Sequence, residues 1–243
     1  MEEREPPPGY DWCGLPQGAA AAVSLAGAVM AASFIGFGAF LRSVDFELLR
    51  GLATVPVIWA LPGQVVFVDS IHKSLGLAAT SLAVSITAVR LMPLTVLVLA
   101  QTRVKGAARW PELIAAHFVA ITLWLLSNQK IANVLHRRRL PWLIGLGGML
   151  CGAMIVFSTL GYFLADRLPL PLAASLVFFT PAFFLVSLLS GIRWQFEYAA
   201  LLLGAIIGPL TYRIAPEFDL FVAGIAGGSL AYMLRGLIGR LRR

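Results

Sequence analysis

Of the 243 residues, 59% are hydrophobic and only 13% charged, with a mean hydropathy of +0.83. That composition cannot coat a water-soluble globule of this size, which excludes a soluble enzyme or binding module and predicts a polytopic membrane protein. The net charge of +7 sits at segment ends, as in "HRRR" (136–139) and "RGLIGRLRR" (235–243). This argues against nucleic acid as a partner and for topology, since Lys and Arg gather on the cytoplasmic side of a bilayer.

The chain opens on "MEEREPPPGY", read as a disordered tail over 1–14 with no basic region of the kind that begins a cleavable signal peptide. Apolar stretches follow at about 15–41, 51–72, 75–101, 111–128, 141–165, 168–190, 196–212 and 218–239. Each is near the roughly 20 residues that span hydrocarbon as a helix, and none alternates like a barrel strand, so the fold class is all-α. One transmembrane domain is expected over 15–239, with a basic tail at 240–243. Cys13 and Cys151 lack metal-site spacing and read as unpaired thiols.

Segment 111–128, "WPELIAAHFVAITLWLLS" with its leading Trp110, carries Pro111, Glu112 and His117 and suits an interfacial or re-entrant helix. If it does not cross, seven crossings remain and the N-terminus lies opposite the 130–140 loop. Lys plus Arg then divide 14 inside to 4 outside, leaving out Arg90.

"GAFLRSVDFELLRGLATVPV" (38–57) resembles "GYFLADRLPLPLAASLVFFTPA" (161–182), each passing from Gly-x-Phe-Leu through a polar turn to a Pro. Two such copies make three-helix units at 15–101 and 141–212, facing opposite ways in the inverted-repeat plan of secondary transporters. Chance similarity of short apolar segments accounts for the match equally well. Small residues recur at helical spacing, among them the Gly148–Gly152 pair, and allow close helix packing.

Residues 57–74, "VIWALPGQVVFVDSIHKS", join helix breakers to polar groups within one apolar run. Pro56, Pro62 and Gly63 predict an interrupted helix, where Gln64 either binds a polar ligand or repairs freed backbone groups. Arg90, deep in "LAATSLAVSITAVRLMPLTVLVLA", needs a partner or water. Its planar fork suits a carboxylate, the alternative being an ion pair with Asp69, and Pro93 opens the backbone beside it. Asp69 and His72 share a helical face, either for proton or ion coupling or simply at the interface. His117 reads as a satisfied polar residue. No nucleophile–base pair, nucleotide loop or metal cluster is apparent, so an enzyme is not expected and no cofactor is called for.

These motifs are similar to those of the AzlC-type branched-chain amino acid permeases. The family's small-residue turn and Gln are matched by Pro62-Gly63-Gln64, its Val-Arg pair by Val89-Arg90, and its Pro-Ala-x-Phe-Leu-like stretch by Pro181-Ala182-Phe183-Phe184-Leu185. Departures are Ala88 and Leu91 around that pair, Val65 after the Gln, and "AAHF" at 115–118. The resemblance implies export of branched-chain or similar neutral amino acids across a bacterial inner membrane, with a small AzlD-like membrane subunit. Gln64, Arg90 and Gly63 would then hold the solute, and Phe67 and Phe184 its apolar side chain. Pro181 joins Pro56, Pro62 and Pro93 as a helix break. The rival expectation is a scaffold or assembly subunit that transports nothing.

Overall fold

The computed structural model describes residues 9–89, 91–167, 169, 171–172, 174–178, 182, 185, 189, 195–214 and 219–240. Among them every regular element is a helix. The chain divides into two compact units, Met1–Pro181 and Ala182–Arg243.

In the first unit, α1 (Gly14–Ala21) and α2 (Leu25–Ser43) divide the first apolar segment at residues 22–24. Extended Ser24 caps α2 through a hydrogen bond from Gly27 N, 3.2 Å, satisfying one of the free amides of its first turn. Both helices lie along α9 (Arg139–Leu164). A Cβ on Gly18 would strike the Trp142 carbonyl, one on Gly145 the Leu15 carbonyl, one on Gly38 the Ser158 carbonyl and one on Gly161 the Ile35 carbonyl. Glycine is required at these four crossings because the helix backbones themselves touch. Gly148 and Gly152, by contrast, face open space.

Polar contacts mark the two ends of this bundle. At one, Asp11 N donates to Arg137 O (2.9 Å), Arg139 donates to Gln101 O (3.1 Å) and the Arg103 guanidinium pairs with Glu112 (3.2 Å). At the other, Arg42 approaches Asp166 (3.8 Å) and lies over the Tyr162 ring. The Gly14–Arg138, Gly38–Ser158 and Arg42–Asp166 contacts advance together along both chains, so α2 and α9 run in the same direction. The second three-helix unit expected at 141–212 runs in part over residues outside the described ones. The N-terminal residues lie at the 136–139 end, not opposite it as expected, because Asp11 is bonded to Arg137 and Arg138.

Residues 51–72, expected to cross, are divided by a break. They form α3 (Leu48–Val57) and α4 (Leu61–His72), with extended Ala60 between them. α3 starts at the Arg42 end, where Gly51 packs on Leu41. α5 (Leu77–Val89) and α6 (Met92–Ala100) bend by only 43°, and α6 ends beside Arg139, so α5 comes from the Arg42 end. α4 packs on α5 across the four-residue turn 73–76, with Gly63 on Thr87, and so leaves toward the end at which α3 entered. α3–α4 is thus a hairpin that turns back inside the bundle.

The second hairpin enters from the opposite end. α7 (Trp110–His117) and α8 (Ile121–Lys130) start and finish beside Arg103 and 134–139, and the pair is bent by 113° when α8 is taken on to Asn133. At about 1.5 Å per residue neither limb alone approaches the roughly 30 Å of a hydrocarbon core. Among the described residues two single helices are long and apolar enough to cross a membrane, and up to four spans qualify if each bent pair counts as one. Among the described residues of the first unit, α1–α2, α5–α6 and α9 each run from one end to the other.

The second unit contains α10 (Gln195–Ile214), which carries Pro209, and α11 (Asp219–Arg240). They pack on each other with Gly227 against the Gly204 backbone, where a Cβ would lie 3.1 Å from the Gly204 nitrogen.

Candidate functional site

Three interruptions meet at one cavity of about 350 Å³, which is lined by Val57–Ala60 from the α3–α4 turn, Thr87, Leu91, Met92 and Thr95 from α5–α6, and Ala116, His117 and Val119 from α7–α8. The chemistry of each break explains its place. Pro62 and Pro93 occupy the second positions of α4 and α6, where a missing N–H is tolerated and a fresh helix start is favoured. The caps Ala60, Leu91 and Ala120 offer no side-chain oxygen to α4, α6 and α8, and Ala60 and Leu91 line the cavity. The starts of α4 and α6 thus border the cavity at Ala60 and Leu91, while α3 and α7 bring C-terminal ends to the same place.

Two contacts join the hairpins. His117 Nε2–H donates to the Pro56 carbonyl (2.7 Å), and the Trp59 and Phe118 rings meet edge to face with centroids 5.1 Å apart. A carbonyl only accepts, so this bond fixes the proton of His117 on Nε2. Pro56 lies within α3, one residue before its end, instead of at the break itself.

The sequence candidates fall around this cavity in different ways. Gln64 is 1% exposed and donates from Nε2 to Ile58 O (2.7 Å), while its Oε1 has no partner among the described residues. Gly63 lies directly behind the wall, its absent Cβ 3.0 Å from Thr87 Oγ1 and 3.1 Å from Ile58 Cγ2. Phe67 is half-buried and does not line the cavity. Asp69 pairs with Lys73 at 2.7 Å on the exposed end of α4, where His72 is also exposed. Arg90, Pro181 and Phe184 lie outside the described residues, although Ala88 and Leu91 on either side of Arg90 both line the cavity.

Residues 26–168, more than half of the chain, match the family model described as AzlC protein. The chain belongs to this family. No curated protein and no solved structure matches it significantly. As an AzlC protein it is a membrane transport-related protein, and the matched residues contain all three interruptions and the cavity.

Sequence reasoning passed over two residues of this AzlC chain that sit at its cavity. Trp59 gave no signal beyond its place in the broken run. His117, assigned to satisfied polarity, is indeed hydrogen-bonded, but to the other hairpin and on the cavity wall. Thr87 and Thr95 spend their hydroxyl protons on Val84 O (2.7 Å) and Leu91 O (3.0 Å), leaving their oxygens able to accept.

Proposed function

We propose that the chain is the transporting subunit of a secondary exporter that moves branched-chain or similar neutral amino acids across the bacterial inner membrane, working with a small AzlD-like membrane subunit. The observation that carries this reading is the 350 Å³ cavity at the meeting of three interrupted helices. Its size is at the small end of the usual ligand-pocket range, and discontinuous helices are how transporters present backbone groups to a polar solute in mid-membrane.

Val57, Ile58, Val84, Leu91, Met92 and Val119 supply an apolar wall for a branched side chain. Thr oxygens and C-terminal carbonyls accept from an ammonium, and Arg90 takes the carboxylate. Phe184 adds to the apolar wall, and Asp69 and His72 serve proton or ion coupling at the outer end of α4. Passage to either side requires the two hairpins to part in turn, the α3–α4 turn for one side and the α7–α8 turn for the other.

The test is efflux of labelled leucine from loaded cells or proteoliposomes carrying the chain with its small partner. Leucine-dependent efflux that Arg90→Ala abolishes, with the variant still in the membrane, supports the proposal. A scaffold gives no flux with or without the partner, and that result sinks it.

A further inference from the structure

Four of the described side chains that line the cavity carry nitrogen or oxygen: Trp59, Thr87, Thr95 and His117. Trp59 Nε1 is sealed from solvent, so the other three supply the side-chain polarity that a solute meets. Each has given its proton to a backbone carbonyl, Thr87 to Val84 O, Thr95 to Leu91 O and His117, through Nε2, to Pro56 O. Pro56 O is open to His117 because Ala60 N–H, its partner in an unbroken helix, turns to Ile58 O (2.8 Å). What remains on all three side chains is an acceptor, the kind of group that receives an ammonium. His117 differs from the threonines in that an imidazole, unlike a hydroxyl, takes up a proton near neutral pH. Its Nδ1 has no partner among the described residues. With a proton there the ring still donates from Nε2 to Pro56 O, but Nδ1 turns from acceptor to donor and brings a positive charge to the cavity wall.

Among the described residues no other charged or titratable group lines the cavity. Glu47 pairs with Arg50 at the start of α3, Asp69 with Lys73 at the end of α4 beside His72, and Glu112 with Arg103 at the base of α7. Lys130 ends α8 and Arg139 begins α9. On α5–α6 the one charged residue is Arg90, outside the described residues, and a guanidinium keeps its proton throughout this range. We infer that His117 is the residue at which proton and solute compete: a proton on Nδ1 and the ammonium of a bound amino acid exclude each other, so the protein exchanges one proton for each amino acid. This rests on the transport reading above and adds to it the coupling ion and the group that carries it. Asp69 and His72 lie outside the cavity, so they can relay a proton but cannot compete with the solute. As the ammonium arrives from the cytoplasm, the Nδ1 proton passes to water on that side. Once the solute has left outward, Nδ1 takes a proton from water there, and one proton has moved in for one amino acid moved out.

The experiment measures leucine binding to the full chain in lipid nanodiscs by calorimetry between about pH 5 and 8, in two buffers of different ionisation enthalpy so that released protons are counted. In the wild type, affinity falls as pH drops, approaching about tenfold per pH unit, with about one proton released per leucine bound at the acid end and none at the alkaline end. His117→Gln, whose amide keeps a donor for Pro56 O and does not titrate, binds leucine without pH dependence and releases no proton, at an unchanged ligand-free melting temperature. His136→Gln, at the bundle end, keeps the wild-type profile. A pH dependence that survives His117→Gln, is lost in His136→Gln or is absent from the wild type overturns the coupling and leaves the transport reading standing. A wild type that binds leucine at no pH overturns both. Should His117→Gln melt early, nitrogen spectra of histidine-labelled wild type, assigned through His72→Gln and His136→Gln, decide. Leucine added near about pH 6 removes the proton from His117 Nδ1, and an Nδ1 signal unmoved by leucine overturns the inference.

Discussion

His117 Nε2 lies 2.7 Å from the Pro56 carbonyl oxygen, a side-chain-to-backbone hydrogen bond that joins hairpins entering from opposite ends of the bundle. The two residues are 61 positions apart, so the bond closes a long-range contact beside the cavity.

Removing this tie should loosen the hairpin tips without dismantling either one. His117→Ala is expected to lower stability by about 1 kcal/mol, the net worth of a neutral hydrogen bond, and to slow leucine efflux. His117→Gln, whose amide can reach the same carbonyl, should be the milder change. A melting curve in detergent with an efflux time course for each variant checks this, and equal behaviour of all three proteins would show that the tie is idle.

Gln64 is expected to act through Ile58. Gln64→Leu removes the 2.7 Å bond to the Ile58 carbonyl and with it the local hold on the α3–α4 turn, leaving the shorter-range Ala60 N–H as that oxygen's remaining donor. A loss of about 1–3 kcal/mol is the scale for disturbing a buried polar contact. Trp59 fluorescence and its quenching are the local readout, and an unaltered spectrum with normal efflux would count against the coupling.

The helix crossings predict a sharp division among glycines. Gly38→Ala and Gly161→Ala put a methyl into the backbone of the facing helix and should cost about 1–3 kcal/mol, whereas Gly148→Ala, in open space, should be neutral or slightly stabilising through helix propensity. Yields of monodisperse protein from a membrane extract, followed by thermal melts, separate the two groups. Equal melting of Gly161→Ala and Gly148→Ala would refute the close contact.

At the N-terminus, the hydrogen bond from the Arg138 guanidinium holds the Asp11 carboxyl below the usual carboxylate range, and Asp11 holds the Arg138 value up. A depressed carboxyl stabilises the folded state fully above its unfolded pKa, about 3.9, and the contribution fades as pH falls through the lower native value. The protection factors of the amides in residues 9–14, that is, exchange relative to the intrinsic rate at each pH, should therefore be unchanged between about pH 5 and 8 and fall only in stronger acid. Asp11→Asn should lower protection throughout, and protection that falls already near pH 6 would contradict the assignment.

How much of this was visible in the chain alone depends on the kind of signal. The interruptions beside Pro62 and Pro93 were readable because proline removes a donor and resets the helix wherever it falls. The turn at 118–120 carries neither proline nor glycine. It is made by packing, with Phe118 seated on Gly147 and against Trp59, contacts no local pattern reveals. The sharp bend within 111–128 lies in a stretch whose polar residues had marked it as unusual, whereas the break within 51–72 lies in a stretch taken as a crossing, because apolar length does not distinguish a pass from a hairpin. That one choice set the N-terminus on the opposite side and turned α9 against α2. The charge count could not detect the error, since reversing two segments instead of one moves several basic residues together. Gln64 and Gly63 were located correctly as neighbours of the break, while Trp59 and His117 gained their place only from long-range contacts.

Interrupted helices also make the interior sensitive to spacing. Each added residue in a helix advances its azimuth by about 100°, so inserting a single amino acid at 58–60 or at 118–120 would swing the following half-helix to a different compass bearing. Its polar groups would then leave the shared chamber. A one-residue insertion at 104–106, in an exposed loop of the bundle end, carries no such lever arm, so tolerance to indels should collapse at those two short linkers while remaining high nearby.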